Sequence, residues 1–226
     1  MRETMGGYTP EHERKENRYS MDRVTIEPIA DSNLSVALRE LDWPLELNGK
    51  GISESETGEM TLRYPPGDVL LSYVTTIHEL GHLRQHELNP TRLKDLKNQT
   101  HDNLLAEESD AWERGWRRFA EANPERLNEF EQLVRNSGNT KLKDLGSFAQ
   151  LYKYIRDNAL QLVQMEKVLF ENEDKRRGFE LLAKDIEKTG WGNFLIELKD
   201  LRIGQTVESE QIKQDIRNVI EKVIEE

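Results

Sequence analysis

Two histidines and a glutamate in the segment VTTIHELGHLRQHE, residues 74–87, have the types and spacing of a metal site. His78, Glu79 and His82 spell H-E-x-x-H. In a helix, residues four apart stand one turn above each other on one face, so the two imidazoles can grip a single cation. Catalytic zinc takes three protein ligands and keeps its fourth position for water, so the pair needs one further side chain. Glu79 projects about 100° round the helix from His78, where a carboxylate can serve as general base toward that water. The expected cofactor is one zinc ion per chain, preferred over manganese or iron on the ligand set and on availability. With 5 histidines in 226 residues, the competing reading is a surface helix that carries two of them by chance.

The third ligand must come from a second helix, and residues 104–119 offer one. Leu104, Leu105, Ala111, Trp112, Gly115, Trp116 and Phe119 share a broad apolar face with Glu108 near its middle. A carboxylate centred on an apolar stripe is costly unless it is paired or bound to a cation, which makes Glu108 the first candidate. Glu107, at the edge of that face, is the second, and Asp110 lies farther round. The alternative is that Glu108 partners a buried arginine or a Trp N–H. Ala111 and Gly115 are small where two helices could approach closely.

His78-Glu79-Leu80-Gly81-His82, followed by the helical Glu-Glu-Ser-Asp-Ala-Trp segment, resembles the zinc metallopeptidases of the gluzincin type, and the H-E-L-G-H-x-x-x-H form through His86 is similar to the ImmA/IrrE-like group. The resemblance covers about residues 58–120. It implies a zincin-like core with His78, His82 and one glutamate on zinc, Glu79 as base, and hydrolysis of a protein or peptide substrate. It also implies that the strand at 59–64, through Met60, Leu62 and Tyr64, is an edge to which an extended substrate adds by main-chain hydrogen bonds; a plain β-hairpin is the alternative. One departure is Ala106, where such proteins commonly carry an acidic residue four before the Asp of the second helix. A metzincin would need a histidine where Leu88 stands. His86 is either a group behind the ligands or an ordinary histidine at a helix end, and His101 either an oxyanion-stabilising group or a loop residue.

The elements that must position these groups are legible in part. Pro65-Pro66-Gly67-Asp68 breaks the chain before an apolar run from Val69 to Ile77, and Asn89-Pro90 ends that helix. His78 and His82 share a face with Leu71 and Val74, so they look inward. Upstream, 1–20 is expected as a flexible leader, Arg23–Ile29 as a short strand, a helix from Asp31 or Ser32 to Leu41, and strands at Leu45–Leu47 and Glu59–Tyr64. A short helix at Thr91–Asn98 fits between the metal helices. The second metal helix should end near Ala122, with Asn123 capping a helix from Pro124 to about Arg135.

From 140 to 226 the pattern is almost wholly helical, with breaks near Gly146, Glu173-Asp174, Gly190-Trp191-Gly192 and Gly204. A helix from Phe148 to Phe170 carries Leu151, Tyr152, Ile155, Leu162, Val163 and Val168; Tyr152 and Tyr154 are either core or reach toward the site. The last helix has Ile212, Ile216, Val219 and Val223 as a narrow apolar seam, which either packs on its own chain or pairs two chains.

The fold class expected is therefore α+β, mainly α: a small N-terminal β-sheet and two metal-binding helices in a domain at 21–136, followed by a helical C-terminal region at 140–226. The net charge of −11 argues against nucleic acid as a partner. A mean hydropathy of −0.81, with no run of ~20 apolar residues, argues against a membrane span. No cysteine is present, and residues 1–20 lack an apolar signal core, so a cytoplasmic setting is expected. Beside the metallopeptidase stand two alternatives: a non-catalytic zinc-containing binding or regulatory module with a helical interaction region, and a metal-free helical adaptor.

Overall fold

The computed structural model describes residues 21–28, 52–54, 60–64, 69–88, 101–170, 201 and 208–225. The leader, the helix expected from Asp31 to Leu41, the strand at Leu45–Leu47, the helix at Thr91–Asn98 and the breaks near Glu173, Gly190 and Gly204 lie outside them.

The described chain is mainly helical with one small sheet. After a single 3-10 turn at Met21–Arg23 come β1 (Val24–Pro28), β2 (Ile52–Glu54) and β3 (Met60–Tyr64), then α1 (Val69–Leu88), α2 (His101–Ala122), α3 (Pro124–Asn136), α4 (Thr140–Leu145), α5 (Phe148–Phe170) and α6 (Ser209–Glu225). The sheet order is β1-β3-β2. β1 runs parallel to β3, with Val24 opposite Met60 and Pro28 opposite Tyr64. β2 runs antiparallel to it, with Ile52 opposite Leu62.

This arrangement corrects one expectation. Met60, Leu62 and Tyr64 do not form a substrate edge: β3 is the central strand, paired to β1 along its whole length and to β2 from Met60 to Leu62. Over Met60–Leu62 the strand has neighbours on both sides, and a strand so paired offers no free edge to an incoming chain. The side chains of Leu62 and Tyr64 are buried as well. β2 itself falls between the two strands read from the sequence.

α1 is buried on nearly every side through its first two turns, since Leu70, Leu71, Ser72, Tyr73, Val74, Thr76 and Ile77 are all inaccessible. Of its two buried hydroxyls, Thr76 Oγ1 donates to the Ser72 carbonyl at 2.7 Å, and Ser72 Oγ is buried without a hydrogen-bond partner. α2 packs along α1 at unusually short range. A Cβ built on Gly81 of α1 would stand 1.8 Å from the Ala111 carbonyl oxygen, and one on Gly115 of α2 would stand 1.9 Å from that of Ile77. No side chain larger than hydrogen fits at either crossing.

Beyond α2 the helices are capped by one another. Pro124 opens α3 at a position where its missing N–H is no loss. Asn139 Oδ1 accepts from the Leu142 N–H at the start of α4, which ends at Gly146 with φ 77°. Glu131 of α3 accepts from the Phe148 and Ala149 N–H groups and so caps α5.

α6 returns against α1 and α2. Its seam residues Ile212, Ile216, Val219 and Val223 join one continuous apolar cluster that begins at Leu62 of β3. In the middle of that seam sits Asp215, 4 % exposed. Its carboxylate accepts from the Tyr73 hydroxyl, from Arg126 Nε at 2.9 Å and from Gln211 Nε2 at 3.0 Å. Asn123 makes no side-chain cap for α3. It donates instead to the Asp215 carbonyl and accepts from Asn218, because a buried amide at that corner faces α6 rather than its own helix. Lys222 adds a bond to the Glu121 carbonyl, one of those left unpaired at the end of α2. Among the described residues no helix is long and apolar enough to cross a membrane.

Candidate metal centre

Where α1 and α2 touch, His78, His82 and Glu108 converge. The Nε2 atoms of the two histidines lie 3.3 Å apart. Glu108 Oε2 stands 3.2 Å from His78 Nε2 and 3.6 Å from His82 Nε2. All three side chains are largely enclosed, at 13 %, 12 % and 22 % exposure. Among the described residues this is the one histidine and carboxylate group close enough to share a metal ion.

The spacing can be tested against a metal's requirements. Donors at about 2.0–2.1 Å from a tetrahedral zinc lie about 3.3–3.4 Å from one another, and the three observed separations bracket that value. Two neutral imidazole nitrogens and a carboxylate oxygen turned toward one point repel unless something positive stands between them. A proton serves two of the three atoms at once; a cation serves all three. The donor set therefore fits a metal ion.

The helix contact explains the placement. His78 and His82 flank the glycine at 81, and the closest approach of α2, at Ala111, lies against that glycine. Glu108, three residues before Ala111, is thereby brought over the imidazole pair. Gly81 was not singled out by sequence reasoning beyond its place in the motif. The available signal was a helix-interior glycine, which costs about 1 kcal/mol against alanine and needs a packing reason.

Burial pushes the Glu108 carboxyl up, but hydrogen bonds and charge from His78 and His82 outweigh it and hold the group well below the usual carboxylate range. The site favours the anionic form that metal ligation needs. Of the sequence-derived alternatives for Glu108, neither a buried arginine nor a Trp N–H is what it faces; its partners are the two imidazoles. Glu107 is half-buried on α2 and does not belong to the convergent group. Glu79 is half-buried on α1, one residue beyond the first ligand. His86 lies in the last turn of α1 and His101 is the first residue of α2, but their side chains fall outside the described residues.

No family model matches the chain, and comparison with curated proteins and solved structures gives no significant match.

Three features around it were not anticipated. The His78 ring stacks on Trp112, with centroids 4.3 Å apart and planes 26° from parallel. His78 Nδ1 is buried without a hydrogen-bond partner. Tyr152 of α5 donates to the Trp112 carbonyl at 2.6 Å, and burial raises its hydroxyl well above the usual tyrosine range. That hydroxyl is committed to the backbone of α2, so of the two readings Tyr152 takes the core one. Tyr154 is half-buried and packs against the apolar cluster, with Lys141 Nζ 5.2 Å from its ring centre.

Proposed function

We propose that the chain is a zinc-dependent metallopeptidase with a zincin-like core, in which His78, His82 and Glu108 hold one zinc ion and Glu79 is the general base. The observation that carries this reading is the set of separations 3.2, 3.3 and 3.6 Å among three enclosed donor atoms. When bound, zinc supplies a Lewis acid that works at neutral pH on water and on a carbonyl. The chain's own residues supply the rest. Glu79, adjacent to His78 and about 100° round α1, accepts the proton of the attacking water and returns it to the departing amine. Glu108 brings one negative charge to the two neutral imidazoles, and the glycine-tight contact of α1 with α2 holds all three donors in register. A purely structural site has no use for a base beside its first ligand, which favours catalysis over a fold staple. A protein or peptide as substrate is supported by the likeness of the H-E-L-G-H helix and its partner helix to gluzincin peptidases.

The test is elemental analysis of wild type, Glu79→Gln and Glu108→Ala, paired with mass-spectrometric detection of cleavage in a mixture of unfolded proteins. Wild type and Glu79→Gln should each retain about one zinc per chain, with cleavage by wild type alone. Glu108→Ala should lose the metal. Zinc with no Glu79-dependent cleavage would replace the enzyme by a non-catalytic zinc-containing module, and absence of zinc would leave a helical interaction protein.

A further inference from the structure

Resting on the zinc reading above, we propose that Trp112 and Tyr152 are positioning residues for His78, and that through them α5 sets the affinity of the metal site. Histidine ligands ordinarily have their ring plane fixed by a hydrogen bond from the second ring nitrogen to a carboxylate, carbonyl or water. His78 has no such bond: Nδ1 is buried and unpartnered. The ring plane is held by a stack instead, at 4.3 Å and 26° on Trp112.

Trp112 can serve as that plate because it is itself clamped. It follows Glu108 by four residues, so one turn of α2 presents both the third ligand and the surface against which the first ligand lies. Its carbonyl takes the Tyr152 hydroxyl at 2.6 Å. Its ring meets the Tyr152 ring at 5.2 Å in an edge-on arrangement. Tyr152 is wedged in turn against Trp116, with centroids 4.9 Å apart. Trp112 and Tyr152 are 6 % and 3 % exposed, so neither ring can swing away without opening the core. The chain of contact runs from α5 through α2 to a ligand on α1.

The experiment measures zinc affinity by competition with a chromophoric chelator, and the visible absorption of the cobalt-substituted protein, for wild type, Trp112→Leu, Trp112→Phe, Tyr152→Phe and Val134→Ala. Loss of an orienting partner typically costs about 10–100-fold in metal affinity, the fall expected for Trp112→Leu together with an altered cobalt spectrum. Trp112→Phe keeps a flat ring and should stay within about threefold of wild type, while Tyr152→Phe, lacking one oxygen, should lose about 3–10-fold. Val134→Ala, a core change on α3, controls for general loss of stability and should bind as wild type does. Undiminished affinity in Trp112→Leu overturns the proposal, as does a Val134→Ala loss equal to it. Should Trp112→Leu fail to fold, undiminished affinity in Tyr152→Phe overturns it. Absence of zinc from the wild type removes the metal reading itself, a result distinct from zinc bound equally by all five proteins.

Discussion

Among the described residues, the carboxylates of Asp215 and Glu108 both sit on apolar helix faces, largely enclosed, and are provided for in opposite ways. Asp215 of α6 meets a hydroxyl, a guanidinium and an amide, all of them donors, so its charge is answered within the protein. Glu108 of α2 meets two imidazole nitrogens that face each other as well as it. With both rings neutral, that set is short of positive charge. The first arrangement is complete as it stands and fastens α6 to α1 and the α2–α3 corner; the second is a group that could hold a metal ion. A buried carboxylate thus marks either a latch or a site, and the donors around it decide which.

The largest effect should follow from striking what both share. Gly81→Val places a side chain where even Cβ would stand 1.8 Å from the Ala111 carbonyl. Prying α1 from α2 should cost at least about 3 kcal/mol in denaturant unfolding, the upper end for overpacking, and abolish zinc uptake together. Retention of both would mean the helix contact is not what positions Glu108.

Asp215→Ala leaves the buried Tyr73 hydroxyl without its acceptor and takes the Nε partner from Arg126, which keeps Glu129. Breaking a buried pair in this way costs about 3–5 kcal/mol, to be read by urea unfolding. Zinc affinity of the folded fraction should change less than about threefold, because Asp215 orients no ligand, in contrast to groups whose loss costs 10-fold or more. Glu108→Ala should show the reverse: in chelator a smaller loss of unfolding free energy than Asp215→Ala, about 1–3 kcal/mol, as for removing one partner from enclosed hydrogen-bonding groups. Saturating zinc, by contrast, should stabilise wild type by about 4 kcal/mol at a thousand times Kd and this variant hardly at all. If Asp215→Ala loses the metal while Glu108→Ala loses the fold, the assignment of latch and site is inverted.

The smallest effects lie at the ends of the pH scale. In the metal-free protein Glu108 is held below its usual range, so its contribution is present above the ordinary carboxylate pKa of about 4.3 and lost as pH falls through the folded value. Glu108→Gln should flatten stability against pH on that acid side. Tyr73 is raised above its usual value by burial and by its bond to Asp215. Its contribution is present below about pH 10 and lost as pH rises beyond, at about 1.4 kcal/mol per pH unit for one proton. Tyr73→Phe should remove one proton's share of the alkaline slope, to which Tyr152 and Lys213, raised likewise, also contribute.

What was legible in the sequence divides along the same line. The 3.6-residue period, the prolines at 90 and 124 and the glycine at 146 placed α1, α3 and α5 close to their observed limits, because those signals act within one or two turns. Glu108 could be ranked above Glu107 from its helical face alone. Asp215 is open to the same argument, lying three residues after Ile212 and four before Val219. The pairing of β1 with β3 joins strands more than thirty residues apart, and nothing local announces a parallel partner. For that reason β3 reads as an edge until β1 and β2 are seen on both its sides.

By itself the sequence determined which residues could bind a metal: the H-E-x-x-H spacing, the inward face of its helix and a lone carboxylate on a second apolar stripe are all consequences of helical geometry. Only the tertiary structure decided that they meet. The 3.2–3.6 Å separations depend on two helices crossing at glycine 81 and glycine 115, on Trp112 lying flat against His78, and on Tyr152 arriving from α5 to hold it there. Those contacts join residues up to about forty or more positions apart, and their distances are set by packing volume, which no period along the chain records.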